Sequence, residues 1–319
     1  MWGEPPFYGA ASHKMWLVMF LVLVAVMACV RLINLGSLTM TRTAYLSCSI
    51  LLATCGAVPV LAADATSPTY SETVFSEGRW GVSVGGFAGF APAYEGSDEF
   101  RFVGYPLILP KYYGDNYDPN VRSRVDFRSI DDVRFSLLRL GGLDVGPLAG
   151  YSFGRDEDLA NRLTGMGDVD GGITVGGFAS YTFEPFFVDI AYNTQVTGDT
   201  DTGYTLRFGA GIETNLSERM VASAYVGSTY ASADYMDAYF SVTPAQSAAS
   251  GLAVYDASSG IKNVGLDLGL DYRMTDRVTL KSKAGYYRLL GDAADSPVTA
   301  SRNQFSGGLG VTYTFGRTD

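Results

Sequence analysis

The chain is poor in the two residue types on which most covalent and metal chemistry depends. Its three cysteines (Cys29, Cys48, Cys55) and its only histidine (His13) all lie in the first 55 residues. Without that region, the remainder has no thiol and no imidazole. Disulfides, Cys/His metal centres, Ser-His triads and cysteine nucleophiles are then excluded together. Positive charge is also scarce, with 23 Lys+Arg against 33 Asp+Glu and a net charge of −10. A phosphate backbone is read through a basic footprint, so nucleic acid is excluded as a partner. No enzyme activity, no cofactor and no metal are expected. What the 319 residues do have is glycine (38), tyrosine (21) and phenylalanine (18).

Two apolar runs open the chain. Met15–Val30, flanked by Lys14 and Arg31, spans 16 residues, fewer than the roughly 20 that cross a bilayer. The second has the layout of a secretory signal over residues 40–65: Arg42, an apolar stretch from Ala44 to Leu61, then Ala62, Ala63 and Ala65. Cleavage after Ala62 and cleavage after Ala65 both fit. Translation is expected to start at Met40, with residues 1–39 a non-native upstream extension; the alternative is an apolar anchor. Removing residues 1–62 takes Lys14, Arg31, Arg42 and Glu4 away. The counts fall from 23 to 20 basic and from 33 to 32 acidic groups, a net charge of −12. Residues 66–78 are expected to form a short periplasmic segment, and residues 79–319 the folded body.

That body alternates with period two. Tyr204, Leu206, Phe208, Ala210 and Ile212 oppose Thr205, Arg207, Gly209, Gly211 and Glu213. Val264, Leu266, Leu268, Leu270 and Tyr272 oppose Asn263, Gly265, Asp267, Gly269 and Asp271. No helical period of useful length is visible. Strict alternation means strands with one apolar and one polar face. Segments of about 10 to 14 residues exceed the usual sandwich strand of about 5 to 6 and suit a tilted membrane crossing of about 9 to 11. Aromatic residues, Trp80 among them, recur near segment ends, as in the girdles of outer-membrane barrels. The fold class is therefore all-β, a transmembrane antiparallel β-barrel.

Twelve strands are expected, near 79–92, 100–113, 121–129, 132–140, 143–154, 168–182, 185–196, 203–216, 219–231, 261–273, 277–289 and 302–315. Short pieces in 114–142 leave ten as the alternative. Tight turns (Gly141-Gly142, Phe183-Glu184, Ser217-Glu218, Met274–Asp276) alternate with longer connections (155–167, 197–202, 232–260, 290–301). Short periplasmic turns and long outer loops place both termini in the periplasm.

Four blocks carry a resemblance. They are Pro92-Ala93-Tyr94-Glu95-Gly96-Ser97-Asp98; Gly146-Pro147 with Tyr151, Arg155–Asp158 and Leu163–Asp168; Ala238–Thr243 with Gln246-Ser247, Ser250-Gly251 and Tyr255; and Tyr287–Pro297 with Tyr313-Thr314-Phe315. In this order they resemble the MipA/OmpV family of outer-membrane proteins across nearly the whole mature chain. The resemblance implies the outer membrane as location, with lipid, lipopolysaccharide and the barrel-assembly machinery as surroundings. It also implies a scaffolding role that bridges a lytic transglycosylase and a penicillin-binding protein in peptidoglycan assembly. The closing strand carries the spacing Gly310-x-x-Tyr313-x-Phe315 of an assembly signal.

Three groups are candidate sites. Asp267, Asp271 and Arg273 on one strand face Arg277, Lys281 and Lys283 on the next, either lining a solute path or closing the interior as cross-strand ion pairs. Asp98, Glu99, Asp156, Glu157, Asp158, Asp199, Asp201, Asp292 and Asp295, with Asp234 and Asp237, fall in outer connections. They suit divalent cations, a cation-enriched pore mouth or a solvated surface, and no spacing matches an EF-hand. Tyr235, Tyr239, Phe240 and Tyr255 make connection 232–260 too apolar for a free loop, so it is expected to act as a plug, a binding surface or a packed lid. Scaffold is the leading function; a narrow cation-preferring channel and an adhesin are the alternatives.

Overall fold

The computed structural model describes residues 80–112 and 124–315. The expected export signal, the upstream extension, the segment 66–78 and the whole connection 114–120 lie outside the described residues.

Thirteen strands form a single antiparallel sheet. They are β1 (Trp80–Pro92), β2 (Phe100–Tyr112), β3 (Val125–Ser129), β4 (Asp132–Phe135), β5 (Leu138–Leu140), β6 (Leu143–Arg155) and β7 (Val169–Phe183), then β8 (Phe186–Gln195), β9 (Tyr204–Ser217), β10 (Met220–Ala231), β11 (Gly260–Arg273), β12 (Val278–Leu289) and β13 (Asn303–Phe315). The first and last strands pair, Val82 opposite Phe315 through Phe90 opposite Gly307, which curls the sheet into a barrel. Both β4 and β5 pair with β6, so they are two halves of one broken stave. The wall thus has twelve staves, as expected, and not ten. Among the described residues no ladder joins β2 to β3, and there the barrel is nearly but not fully closed.

The burial pattern is the reverse of a soluble protein's. Phe102, Ile108, Phe153, Ile173, Leu268, Leu309 and Val311 are exposed, while Ser83, Thr174, Ser180, Asp189, Gln195 and Thr312 are buried. Alternation along each strand puts the first set outside and the second in the lumen. An apolar outer belt around a polar interior is the arrangement that lipid requires, since a charge on the lipid face costs about 2–4 kcal/mol at midplane. Pro106 and Pro110 are tolerated in β2 because the strand runs along the unpaired seam, where a missing N–H breaks no second ladder.

Among the described residues three short α-helices depart from the all-strand expectation, α1 (Ala233–Phe240), α2 (Pro244–Ser250) and α3 (Gly291–Asp295), beside two single 3-10 turns at Glu157–Leu159 and Asn161–Leu163. All three sit in the connections at the long-loop end. Ser232 caps α1 by accepting from the Tyr235 N–H, and Thr243 with Gln246 forms a capping box on α2.

Candidate functional site

The lumen is crossed by a bar. The β3–β4 hairpin keeps its place in the wall through pairing with β6 and bends inward at its turn, where Ile130 accepts from the Tyr151 N–H at 3.0 Å and a β-carbon at Gly150 would collide with the Asp131 backbone. From this hairpin Asp132 and Arg134 reach staves that are not their neighbours. The Arg134 guanidinium clasps Asp132 at 2.8 and 2.9 Å and ion-pairs with Asp189 of β8 at 2.7 Å. Arg128 of β3 donates to the same Asp189 at 2.7 Å, and Tyr225 of β10 donates to its other oxygen at 2.8 Å. Arg207 of β9 donates to Asp132. Lys283 of β12 donates to the Arg128 carbonyl. The contacts therefore tie the β3–β4 hairpin, which pairs with β6, through the interior to β8, β9, β10 and β12.

Packing reinforces the charges. Arg134 lies over the Phe178 ring at 4.9 Å and Arg128 over Phe187 at 5.2 Å, both distances at which a cation is attracted to the ring face. Phe187 stacks on Tyr225 with centroids 6.0 Å apart. Small residues opposite make room: a β-carbon at Gly211 would strike Phe187, and one at Gly265 would strike Tyr287.

Of the expected lumen residues, Asp271 and Lys281 form an ion pair across β11 and β12. Asp267 accepts from Tyr287 and not from a lysine. Arg273 lines a cavity at the short-turn end beside Lys281. Arg277 sits in the turn before β12 and donates to the Tyr313 hydroxyl at 3.2 Å, at the short-turn rim and on the lipid-facing side. The buried pairs Asp132–Arg134 and Asp189–Arg134 were not singled out from the sequence. Period two assigns these side chains to the lumen face, but nothing in a one-dimensional pattern says which cross it.

Above the bar the long loops pack into a cap. Tyr94, Leu163, Met166, Val242 and Val298, from four different connections, form one buried cluster. A second gathers Met236, Tyr239 and Phe240 of α1 with Ala293 and Ala294 of α3 and Leu289. Leu163, Phe240 and Val298 are 0 % exposed. Lys262 donates to both oxygens of Glu95 at 2.7 Å and to Tyr235 at 3.0 Å, joining β11, the first loop and α1. Burial, and next the Glu95 carboxylate, push the Tyr235 phenol well above its usual range. Tyr239 stacks on Tyr235 at 4.6 Å, and its carbonyl accepts from Arg155 at 2.8 Å. Tyr255 touches both clusters and bridges Val242 in a short antiparallel pair.

Several loop carboxylates act as staples. Glu157 accepts the N–H groups of Gly165 and Gly167 at 3.0 and 3.1 Å. Asp199 accepts from the Asp170 N–H at 2.7 Å, Asp292 accepts from the Ser258 N–H at 2.7 Å, and Asp295 pairs with Arg302 at 2.6 Å. Asp98, Glu99, Asp156, Asp158 and Asp201 are exposed on the loops. Among the described residues no three carboxylates converge on a metal-sized site. In the closing strand, Tyr313 and Phe315 face outward with rings 4.7 Å apart, and Gly310 lies on the inner face between Phe87 and Lys281.

A family model described as "MltA-interacting protein MipA" matches residues 84–315. Outer membrane protein OmpV of Vibrio cholerae serotype O1 is 26 % identical over 245 residues, 75 % of this chain and 88 % of the relative. Outer membrane protein Omp26La of Vibrio anguillarum is 25 % identical over 247 residues, with the same shares of 75 % and 88 %. Among solved structures, the NanC porin is similar with a TM-score of 0.37 at 10 % identity, covering 74 % of this chain and 99 % of that one. The COG4313 outer membrane channel of Pseudomonas putida F1 is similar with a TM-score of 0.35 at 11 % identity, covering 78 % and 99 %. A family match over residues 84–315, with outer-membrane relatives aligned over 88 % of their own length, makes this chain an outer-membrane β-barrel that belongs to the MltA-interacting protein MipA family.

Proposed function

We propose that this protein is a non-conducting barrel that serves as a scaffold in envelope and peptidoglycan assembly. The supporting observation is closure. Among the described residues, buried ion pairs join the β3–β4 hairpin to β8 and β9 inside the lumen and four loops pack against one another above it, which supports an interior that works as a rigid core. A rigid body in the outer membrane presents its short-turn rim to the periplasm, where wall enzymes work. The family's description as an MltA-interacting protein supports a lytic transglycosylase as one partner, and the sequence resemblance adds a penicillin-binding protein as the proposed second. The outer apolar belt and the closing strand with Gly310, Tyr313 and Phe315 would meet lipid, lipopolysaccharide and the assembly machinery.

The test is site-specific photo-crosslinking in intact cells from Glu218 and Asp276, which lie in two short turns at that rim. Covalent adducts with a lytic transglycosylase or a penicillin-binding protein are expected. Adducts confined to assembly factors or neighbouring barrels would contradict the scaffold reading.

A further inference from the structure

We propose that the short-turn end of the lumen is a binding site for a small carboxylate, with Arg219 and Arg273 as its anchors. A cavity of about 200 Å³ opens there, lined by Arg219, Arg273, Lys281 and Asp271 with the hydroxyls of Ser83, Thr279 and Thr312 and the apolar side chains of Leu109 and Val221. Three cations therefore share the space with one carboxylate, and that carboxylate is already engaged by Lys281. Arg219 and Arg273 are cross-strand neighbours: the Arg273 N–H donates to the Arg219 carbonyl at 2.8 Å, one step beyond the Met220–Tyr272 pair. Neither guanidinium has an ion-pair partner among the described residues.

Two like charges set opposite each other on adjacent strands repel, and a sheet gains nothing from the arrangement by itself. An oxyanion between the two guanidiniums removes that repulsion and accepts charge-assisted, fork-shaped hydrogen bonds from both. Leu109 and Val221 give the ligand's carbon skeleton a surface to rest on, which a carboxylic acid uses and inorganic phosphate does not. Thr279 and Thr312 can donate further hydrogen bonds to the same oxygens. In an outer-membrane barrel this end faces the periplasm. The carboxylate is then either a free small acid or the carboxyl end of a wall peptide. The inference is independent of the scaffold reading, because it needs no protein partner.

The experiment is calorimetric titration of the folded, detergent-solubilised barrel with three probes: acetate, D-alanyl-D-alanine and inorganic phosphate. Saturable binding of at least one carboxylate is expected, weakened by salt. Arg219→Gln with Arg273→Gln should reduce that affinity about tenfold or more, as for loss of charge-assisted hydrogen bonds. The single Arg219→Lys variant keeps the charge and should lose less. Preference for the dipeptide over acetate assigns a peptide terminus, and the reverse a free acid. Phosphate binding as tightly as either carboxylate would overturn the assignment, as would the absence of saturable binding to the wild-type protein. The wild-type titration decides even where the double variant does not fold.

Discussion

Asp189 holds two guanidiniums and a phenol inside the barrel while its own side chain is only 2 % exposed. Removing one partner of such a group leaves the others buried and uncompensated, which typically costs about 3–5 kcal/mol. Asp189→Ala is therefore expected to destabilise the barrel by that order, read by urea unfolding in detergent with loss of heat-modifiable migration as the signal. A change below about 1 kcal/mol, the range of an exposed pair, would mean that the bar does not hold the walls together. Tyr94 belongs to the cap, where its hydroxyl donates to the Val298 carbonyl at 2.9 Å. Burial is the main cause that raises its phenol from the ordinary 10.0 to about 12. A raised folded pKa favours the protonated form, so its contribution is complete below pH 10 and is lost as pH climbs through about 12. Unfolding rates should rise more steeply between those values in the wild type than in Tyr94→Phe. Equal slopes would remove Tyr94 from the account.

At the scale of elements, the strands were readable and the loops were only half so. The stretches expected at 203–216 and 261–273 are Tyr204–Ser217 and Gly260–Arg273, because lipid on one side and a wet lumen on the other impose strict alternation. The stave expected at 132–140 is there but broken between Phe135 and Leu138, a detail of backbone geometry that residue types do not encode. The helices of connection 232–260 had a readable signal, Thr243-Pro244-Ala245-Gln246, since a threonine followed three residues later by glutamine is a capping-box pattern. That pattern alone does not mark a helix here, because α1 and α2, of 8 and 7 residues, are too short for a helical hydrophobic period to show. The same logic of faces yields a contrast that can be measured. Leu268 is exposed at the middle of β11, so Leu268→Arg should cost about 2–4 kcal/mol in lipid. Asp271→Arg, on the lumen face of the same strand, should leave the barrel able to insert. Equal loss of insertion in both would contradict the assignment of inner and outer faces.

For the whole molecule, membership of the family and residence in the outer membrane were legible from four sequence blocks, whereas closure was not. Closure depends on which side chains meet across an interior some staves wide. Asp132 and Arg207 lie 75 positions apart, and Arg128 and Lys283 155 apart, so local pattern carries no trace of these contacts. The acidic loops suggested a cation-enriched mouth, but Glu157, Asp199, Asp292 and Asp295 spend their oxygens on loop hydrogen bonds and ion pairs. A channel would need the cap and the bar both to part. The most direct measurement is planar-bilayer conductance of the mature barrel, first shown to be folded by heat-modifiable migration. The account predicts silence at moderate voltage, with Asp189→Ala still largely silent because the cap remains. Uniform, cation-preferring conductance steps from the wild-type protein would contradict it.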